Sequence, residues 1–262
     1  MSAILLSIGC SAESSRPPLP APPPAPLGSN AVSTANEVPA SNPVPARVVS
    51  PCPPGLIAST SRPDSNQNEW SRTIDSIEVA ELRTVQGKVC RLGLELRIQL
   101  LDGGTVVFKD DTARLSVSPV PRYAGYLKAI HSHAVHRVPY EGTGGYWVVD
   151  DSTGNSTIVL GMPVASPDGT RFVLTSMRGE ADYDPGLIEV WRMIGRKPEK
   201  EFSFDTEQEL WEPSDPVWRD SVTIDFQKLT HSSPGDPYVG TRGRLTRTGT
   251  TWILVDSLPR RP

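Results

Sequence analysis

The sequence predicts an all-β fold: a partial or atypical β-propeller of about four-stranded blades, preceded by a disordered Pro-rich segment. Three observations carry this reading. From Ile74 onward, apolar and polar residues alternate with period two, the pattern of strands that turn one face inward. Clusters of Gly, Pro, Asp, Asn and Ser separate these runs where tight turns need them. Strand patterns also recur in similar order at a spacing of about 45 to 50 residues, long enough for four strands per repeat.

The elements follow in chain order. Strands are expected at SIEVAEL from Ser76, LELRIQLL from Leu94 and TVVFKD from Thr105, with Asp102-Gly103-Gly104 as the hairpin between the last two. YLKAI from Tyr126, AVHRVPY from Ala134, GYWVVDD from Gly145 and STIVLG from Ser156 come next, the last two joined through Ser152-Thr153-Gly154-Asn155. RFVLTS from Arg171 follows the turn Pro167-Asp168-Gly169-Thr170. LIEVWRM from Leu187, SVTIDFQ from Ser221 and TWILVD from Thr251 complete the series. The best helix candidate is DTEQELWEP, from Asp205, which is short and ends at a proline.

One unit of the repeat starts at Pro163, with PVASPDGTRFVLTSM, LIEVWRM and EFSF. A degenerate copy starts at Trp211, and an earlier one runs from Tyr123 to Gly161. Units of this size are propeller blades, each unable to bury both faces alone. PVASPDGTRFVLTS resembles the SPDG-containing blades of TolB-like and WD40-like propellers, in which the Ser166-Pro167-Asp168-Gly169 turn would join the innermost strands. Residues 71–262 supply four blades at most. The alternative is a strongly twisted β-meander or a β-sandwich made from the same hairpins.

The N-terminal part differs in kind. Roughly half of the 27 prolines fall between Ser11 and Arg62, in RPPLPAPPPAP and the Ser/Ala/Pro-rich stretch after it. Such a segment buries too little apolar surface to offset its ordering entropy, so residues 10–70 are expected to be a disordered linker. As polyproline II it rises about 3.1 Å per residue and acts as a semi-rigid spacer.

Residues 1–9 and Cys10, reading LLSIGC at their end, resemble a bacterial lipoprotein signal, with Gly9 and Cys10 matching the cleavage site and Ser7 and Ile8 departing from it. No basic residue precedes Cys10, so the expectation includes a translation start further upstream. The resemblance implies that Cys10 is acylated and that the protein is anchored to the bacterial cell envelope. Ser11, rather than Asp, implies the outer membrane, facing the periplasm. In that oxidising compartment Cys52 and Cys90 are the remaining pair, which invites a disulfide; otherwise Cys90 is a small buried hydrophobe and Cys52 an exposed thiol.

Charge and motifs narrow the function classes. Net charge is −4 and the pI is near 5.6, with Lys and Arg scattered, so no nucleic-acid partner is expected. No stretch approaches the roughly 20 apolar residues of a membrane span. There is no GxSxG elbow and no Gly-rich phosphate loop, and no cofactor is expected.

His131, His133 and His136 in HSHAVH read first as a polar turn between strands. Their second reading is a metal site, since His131 and His133 would share a strand face that His136 does not. His231 is the sole other histidine. Glu180, Asp182 and Asp184 alternate in a loop and read as a solvated hairpin rather than a Ca²⁺ site. Asp150 and Asp151 are expected to point to opposite faces at a strand end, without sharing a substrate. Among the tryptophans, Trp147, Trp191 and Trp252 are expected in the core. Trp211 and Trp218 are the better candidates for surface binding.

The functional expectation is a lipid-anchored envelope binding or scaffold module with a membrane anchor and a protein or glycan partner. The alternative is a metal-dependent hydrolase built on HSHAVH. A cytoplasmic β protein with a disordered arm is the third reading.

Overall fold

The computed structural model describes residues 46–48, 52, 69–85, 87–109, 120–138, 144–177, 186–209, 211–230 and 238–255. All of them belong to one compact unit, Asn42–Pro262. It contains four antiparallel sheets of four strands each, so the chain is all-β with the blade-like units of a partial, atypical propeller. The first sheet holds β1 (Ala46–Val48), β2 (Val89–Leu92), β3 (Glu95–Gln99) and β4 (Thr105–Lys109), in the order β1-β4-β3-β2, with helix α1 (Glu69–Thr84) between β1 and β2 in the chain. The second is the meander β5 (Val120–Leu127), β6 (Ser132–Val138), β7 (Tyr146–Asp150) and β8 (Ser156–Val159). The third is β9 (Val164–Ala165), β10 (Arg171–Ser176), β11 (Leu187–Ile194) and β12 (Lys197–Asp205). The fourth is β13 (Glu212–Trp218), β14 (Thr223–Thr230), β15 (Val239–Thr248) and β16 (Thr251–Val255). The repeat units read from Tyr123, Pro163 and Trp211 thus correspond to the second, third and fourth sheets.

Three apolar clusters lie between successive sheets. Leu96, Ile98 and Phe108 of the first sheet meet Tyr123, Val135 and Val149 of the second. Val148 and Val159 of the second sheet meet Phe172 and Leu174 of the third. Val173, Ile188 and Val190 of the third meet Trp211, Ile224, Phe226 and Leu245 from the fourth-sheet segment. Alternation then explains each strand: Val149 points back to the first sheet and Val148 forward to the third, and Val173 and Leu174 part in the same way. Sheets covered on both sides have strands that are apolar at consecutive positions, as in WVV and FVL.

The turns carry their own chemistry. Ser166 donates from Oγ to Asp168 Oδ1 at 2.7 Å, and that oxygen also accepts from the Thr170 backbone N–H at 3.1 Å. Gly169 sits at φ 68°, and a Cβ there would lie 2.2 Å from the Ala129 carbonyl oxygen, so glycine lets this turn approach the second sheet.

Several expectations are corrected. Ser76–Leu82 is helical, because the residues it buries are Glu78 and Leu82, four apart, while Ile77 is half exposed. Glu78 accepts from Arg91 Nε at 2.9 Å and Nη2 at 2.7 Å, and from the Tyr123 backbone N–H at 2.8 Å. Asp75 of the same helix accepts from Arg122 Nε at 2.8 Å. Helix α1 is therefore bound by ion pairs to β2 and β5. The described residues of 205–213 form no helix: Asp205 ends β12, a turn follows, and Glu212 opens β13. YLKAI is a strand only to Leu127, after which Lys128–Ile130 make a 3-10 turn. Within the 10–70 segment expected to be a disordered linker, Ala46–Val48 pair with Val107–Thr105 at the edge of β4. Cys10 lies outside the described residues.

Cys52 is joined to Cys90 by a disulfide, with the Cα atoms 5.8 Å apart. The bond ties the segment after β1 to β2 across a sequence separation of 38 residues. Closing such a loop contributes about 4 kcal/mol by restricting the unfolded chain.

Two outcomes test this architecture. Glu78→Ala, which takes the carboxylate from the Arg91 guanidinium in a site where that side chain is 5% exposed, should cost about 3–5 kcal/mol in urea unfolding. The paired exchange Glu78→Leu with Arg91→Met should recover most of that loss. Reduction of the disulfide should lower the urea midpoint, and Cys52→Ala with Cys90→Ala should reproduce the shift and abolish its dependence on reductant.

Candidate functional site

A cleft of about 400 Å³ lies where the end of helix α1 and the first sheet meet the second sheet. The helix end contributes Arg83, the turn before β2 contributes Lys88, and β3 contributes Gln99. Tyr126 from β5, His133 from β6 and Asp151 from the β7–β8 turn form the other side. These three converge because the β5–β6 and β7–β8 turns lie at one end of the second sheet, with Ser132 paired to Asp150.

The polar groups are mutually ordered. His133 is 3% exposed, and its Nδ1 is 3.0 Å from the Tyr123 hydroxyl. Tyr126 donates its hydroxyl to Asp151 Oδ2 at 2.8 Å. Arg196, from the β11–β12 turn, donates to both Asp151 and Asp150, the latter at 3.2 Å. The adjacent carboxylates therefore share one guanidinium at the strand end, where β7 closes at Asp150, while Asp151 lines this cleft and Asp150 does not. Asp150 Oδ1 also accepts from Ser152 and Thr153, each through hydroxyl and backbone N–H.

Burial is the main electrostatic influence. It pushes the His133 imidazole down to about 4, against the pull of the Asp151 charge and with a smaller push from Lys88. It raises Tyr126 to about 12, assisted by the hydrogen bond to Asp151. Burial also works to raise Asp150, but the hydrogen bonds from Ser152, Thr153 and Arg196 outweigh it and hold that carboxyl below its ordinary value.

The HSHAVH histidines are separated. His131 is exposed at φ 51°, past the 3-10 turn rather than on the strand, so it does not share a strand face with His133. His136 faces away from His133 and stacks on Tyr146 with ring centroids 4.7 Å apart; burial pushes it, too, down to about 4. Among the described residues, no group of three or more His, Cys, Asp or Glu side chains gathers as a metal site. His231, Glu180, Asp182 and Asp184 lie outside the described residues.

The five tryptophans of the β region pack within the fold. Trp147 and Trp252 are buried, and Trp191 stacks on Phe172. The expectation of partly exposed tryptophans is corrected at Trp211, 6% exposed beneath the Lys228 ammonium, whereas Trp218 is half-buried, its indole N–H donating to the Val164 carbonyl oxygen at 2.8 Å. Sequence reasoning missed Tyr123, Tyr126, Arg83, Lys88 and Arg196 as members of one neighbourhood. Only His133 and the Asp150-Asp151 pair were visible as chemistry.

A second cavity, of about 640 Å³, lies on the other side of the Asp150–Arg196 contact. Ser132, Thr153, Asn155, Thr157 and Lys197 contribute to its wall.

No protein-family model and no curated protein matches this chain. Two solved structures resemble it weakly. One is a complex from S. cerevisiae of a Dbp5 variant bound to Nup159, a Gle1 variant, IP6 and ADP; the similarity has a TM-score of 0.34 and 8% identity, covering 63% of this chain and 45% of that one. The other is the N-terminal domain of Nup159, with a TM-score of 0.34 and 8% identity over 63% of this chain and 46% of that one. The chain thus spans less than half the length of either.

The buried imidazoles set a pH dependence. Unfolded, His133 and His136 take up a proton near 6.5; folded, they do so at about 4. Their contribution to stability is therefore full above about pH 6.5 and falls away as the pH drops toward 4. NMR titration of the imidazole resonances should place both midpoints well below 6, and denaturation midpoints should decline over the same interval.

Proposed function

We propose that this protein is a lipid-anchored cell-envelope binding module that takes up its ligand in the cleft between the first two sheets. The observation that carries the binding role is the ordered set of Tyr126, His133 and Asp151 around a cleft of about 400 Å³. A preformed concave site with a few oriented polar groups is the usual form of a small-molecule pocket. The polar side chains there are held by neighbours, His133 by Tyr123 and Asp151 by Tyr126 and Arg196, which favours recognition over nucleophilic chemistry.

The anchoring part of the proposal rests on Gly9-Cys10 followed by the Pro-rich stretch, which suits a tether between a bilayer and a folded domain. A disulfide between Cys52 and Cys90 suits an oxidising compartment. No helix among the described residues is long and apolar enough to cross a membrane, so attachment in this proposal is through lipid. An envelope protein or glycan would be the wider partner.

The test is expression in a Gram-negative host from an extended upstream start, followed by intact mass of the membrane fraction. The expected mass is that of a chain beginning at Cys10 with acyl groups, and Cys10→Ala should move the protein to the soluble fraction. An unmodified chain retaining Met1 would overturn the anchoring reading.

A further inference from the structure

We propose that the cleft between the first and second sheets binds a small organic oxyanion, a carboxylate or a phosphate monoester, carrying a short apolar tail. The inference deepens the binding reading and rests on it.

The donor set begins at His133. Tyr123 is 1% exposed, and its hydroxyl has one partner among the described residues, His133 Nδ1. If Nδ1 carried the proton and donated to the phenol, the phenol's own buried O–H would have no acceptor there, at a cost of about 1–3 kcal/mol. The phenol therefore donates and Nδ1 accepts. A neutral imidazole then carries its proton on Nε2, which makes no hydrogen bond among the described residues and belongs to a ring that lines the cleft. The buried ring thus offers the cleft an N–H donor.

The surrounding charges favour an anion. The one carboxylate in the wall, Asp151, accepts from the Tyr126 hydroxyl and shares the Arg196 guanidinium with Asp150, so that one carboxylate charge of the pair is offset and one is left against the two cations of the wall. Lys88 and Arg83 stand in the same wall, exposed and without an ion pair among the described residues, and Gln99 adds an amide. Two cations, an imidazole N–H and an amide can surround an oxyanion and supply charge-assisted hydrogen bonds. Leu101, 62% exposed, and Val85 give the cleft an apolar rim on which a short tail can lie. The volume suits a small molecule rather than a chain.

The test is NMR of the ¹⁵N-labelled folded protein, following the His133 ring nitrogens as butyrate, propyl phosphate and neutral butyramide are added in turn. We expect saturable shifts of His133 Nε2 with butyrate, propyl phosphate or both, and at least tenfold weaker response to butyramide. Lys88→Met with Arg83→Gln, two exposed positions, should weaken the anion response at least tenfold without changing the circular dichroism spectrum. Arg242→Gln on the fourth sheet should leave it unchanged. An equal response to butyramide, or an anion response undiminished in the double variant, would overturn the oxyanion assignment while leaving the cleft a binding site. No response to any of the three would overturn the oxyanion assignment and the cleft reading together.

Discussion

The ion pair between Glu78 and Arg91 is the constraint on which the first half of the fold depends. Both side chains are almost wholly buried, at 2% and 5% exposure, and a buried charge left without its partner costs several kcal/mol. The pair therefore has one arrangement: helix α1 against β2, with Glu78 also accepting from the Tyr123 N–H of β5 and Arg91 donating to the Pro121 carbonyl at 2.6 Å. Asp75 and Arg122 repeat the logic one turn earlier in the helix. One edge of the cleft is set in this way, because Arg83 stands in the last turn of the helix that these pairs hold in register and Lys88 lies just beyond it.

The rest of the described fold is governed by packing between successive sheets. Strands of the second and third sheets are apolar on both faces, so each needs a neighbour on either side, and the three clusters supply it. The fourth sheet is different. Asp225, on its far face, is held below its ordinary value chiefly by the hydrogen bond from Arg244, and Arg219 donates to it as well. The guanidinium stems cover what would otherwise be bare sheet, much as polar outer faces end stacked repeat arrays.

The cleft follows from where the turns fall. Strand pairing brings the β5–β6 and β7–β8 turns to the same end of the second sheet, and the β11–β12 turn of the third sheet reaches them with Arg196. Asp151 thus becomes a junction between a tyrosine of its own sheet and an arginine of the next. His133 is held from behind by Tyr123, a core residue of the first cluster. Packing residues and site residues are continuous here, and a change in the core at Tyr123 would be felt at the imidazole.

Much of the architecture was legible in the chain itself. Period-two alternation marked most of the strands, Asp102-Gly103-Gly104, Ser152 to Asn155 and Ser166 to Thr170 marked the turns, and the recurring patterns marked three of the four sheets. Helix α1 was not legible, because its buried face is anchored by carboxylates, while Ile77 and Val79 imitate a strand. Nor was β1, whose three residues become a strand only when β4 offers an edge. The site was least visible. Local sequence determined which side chains alternate and where the chain turns, since backbone sterics and burial act over a few residues. Tertiary structure alone decided that Tyr126, His133, Asp151, Lys88 and Arg196 meet, because they come from different strands and turns, and only long-range packing brings them together.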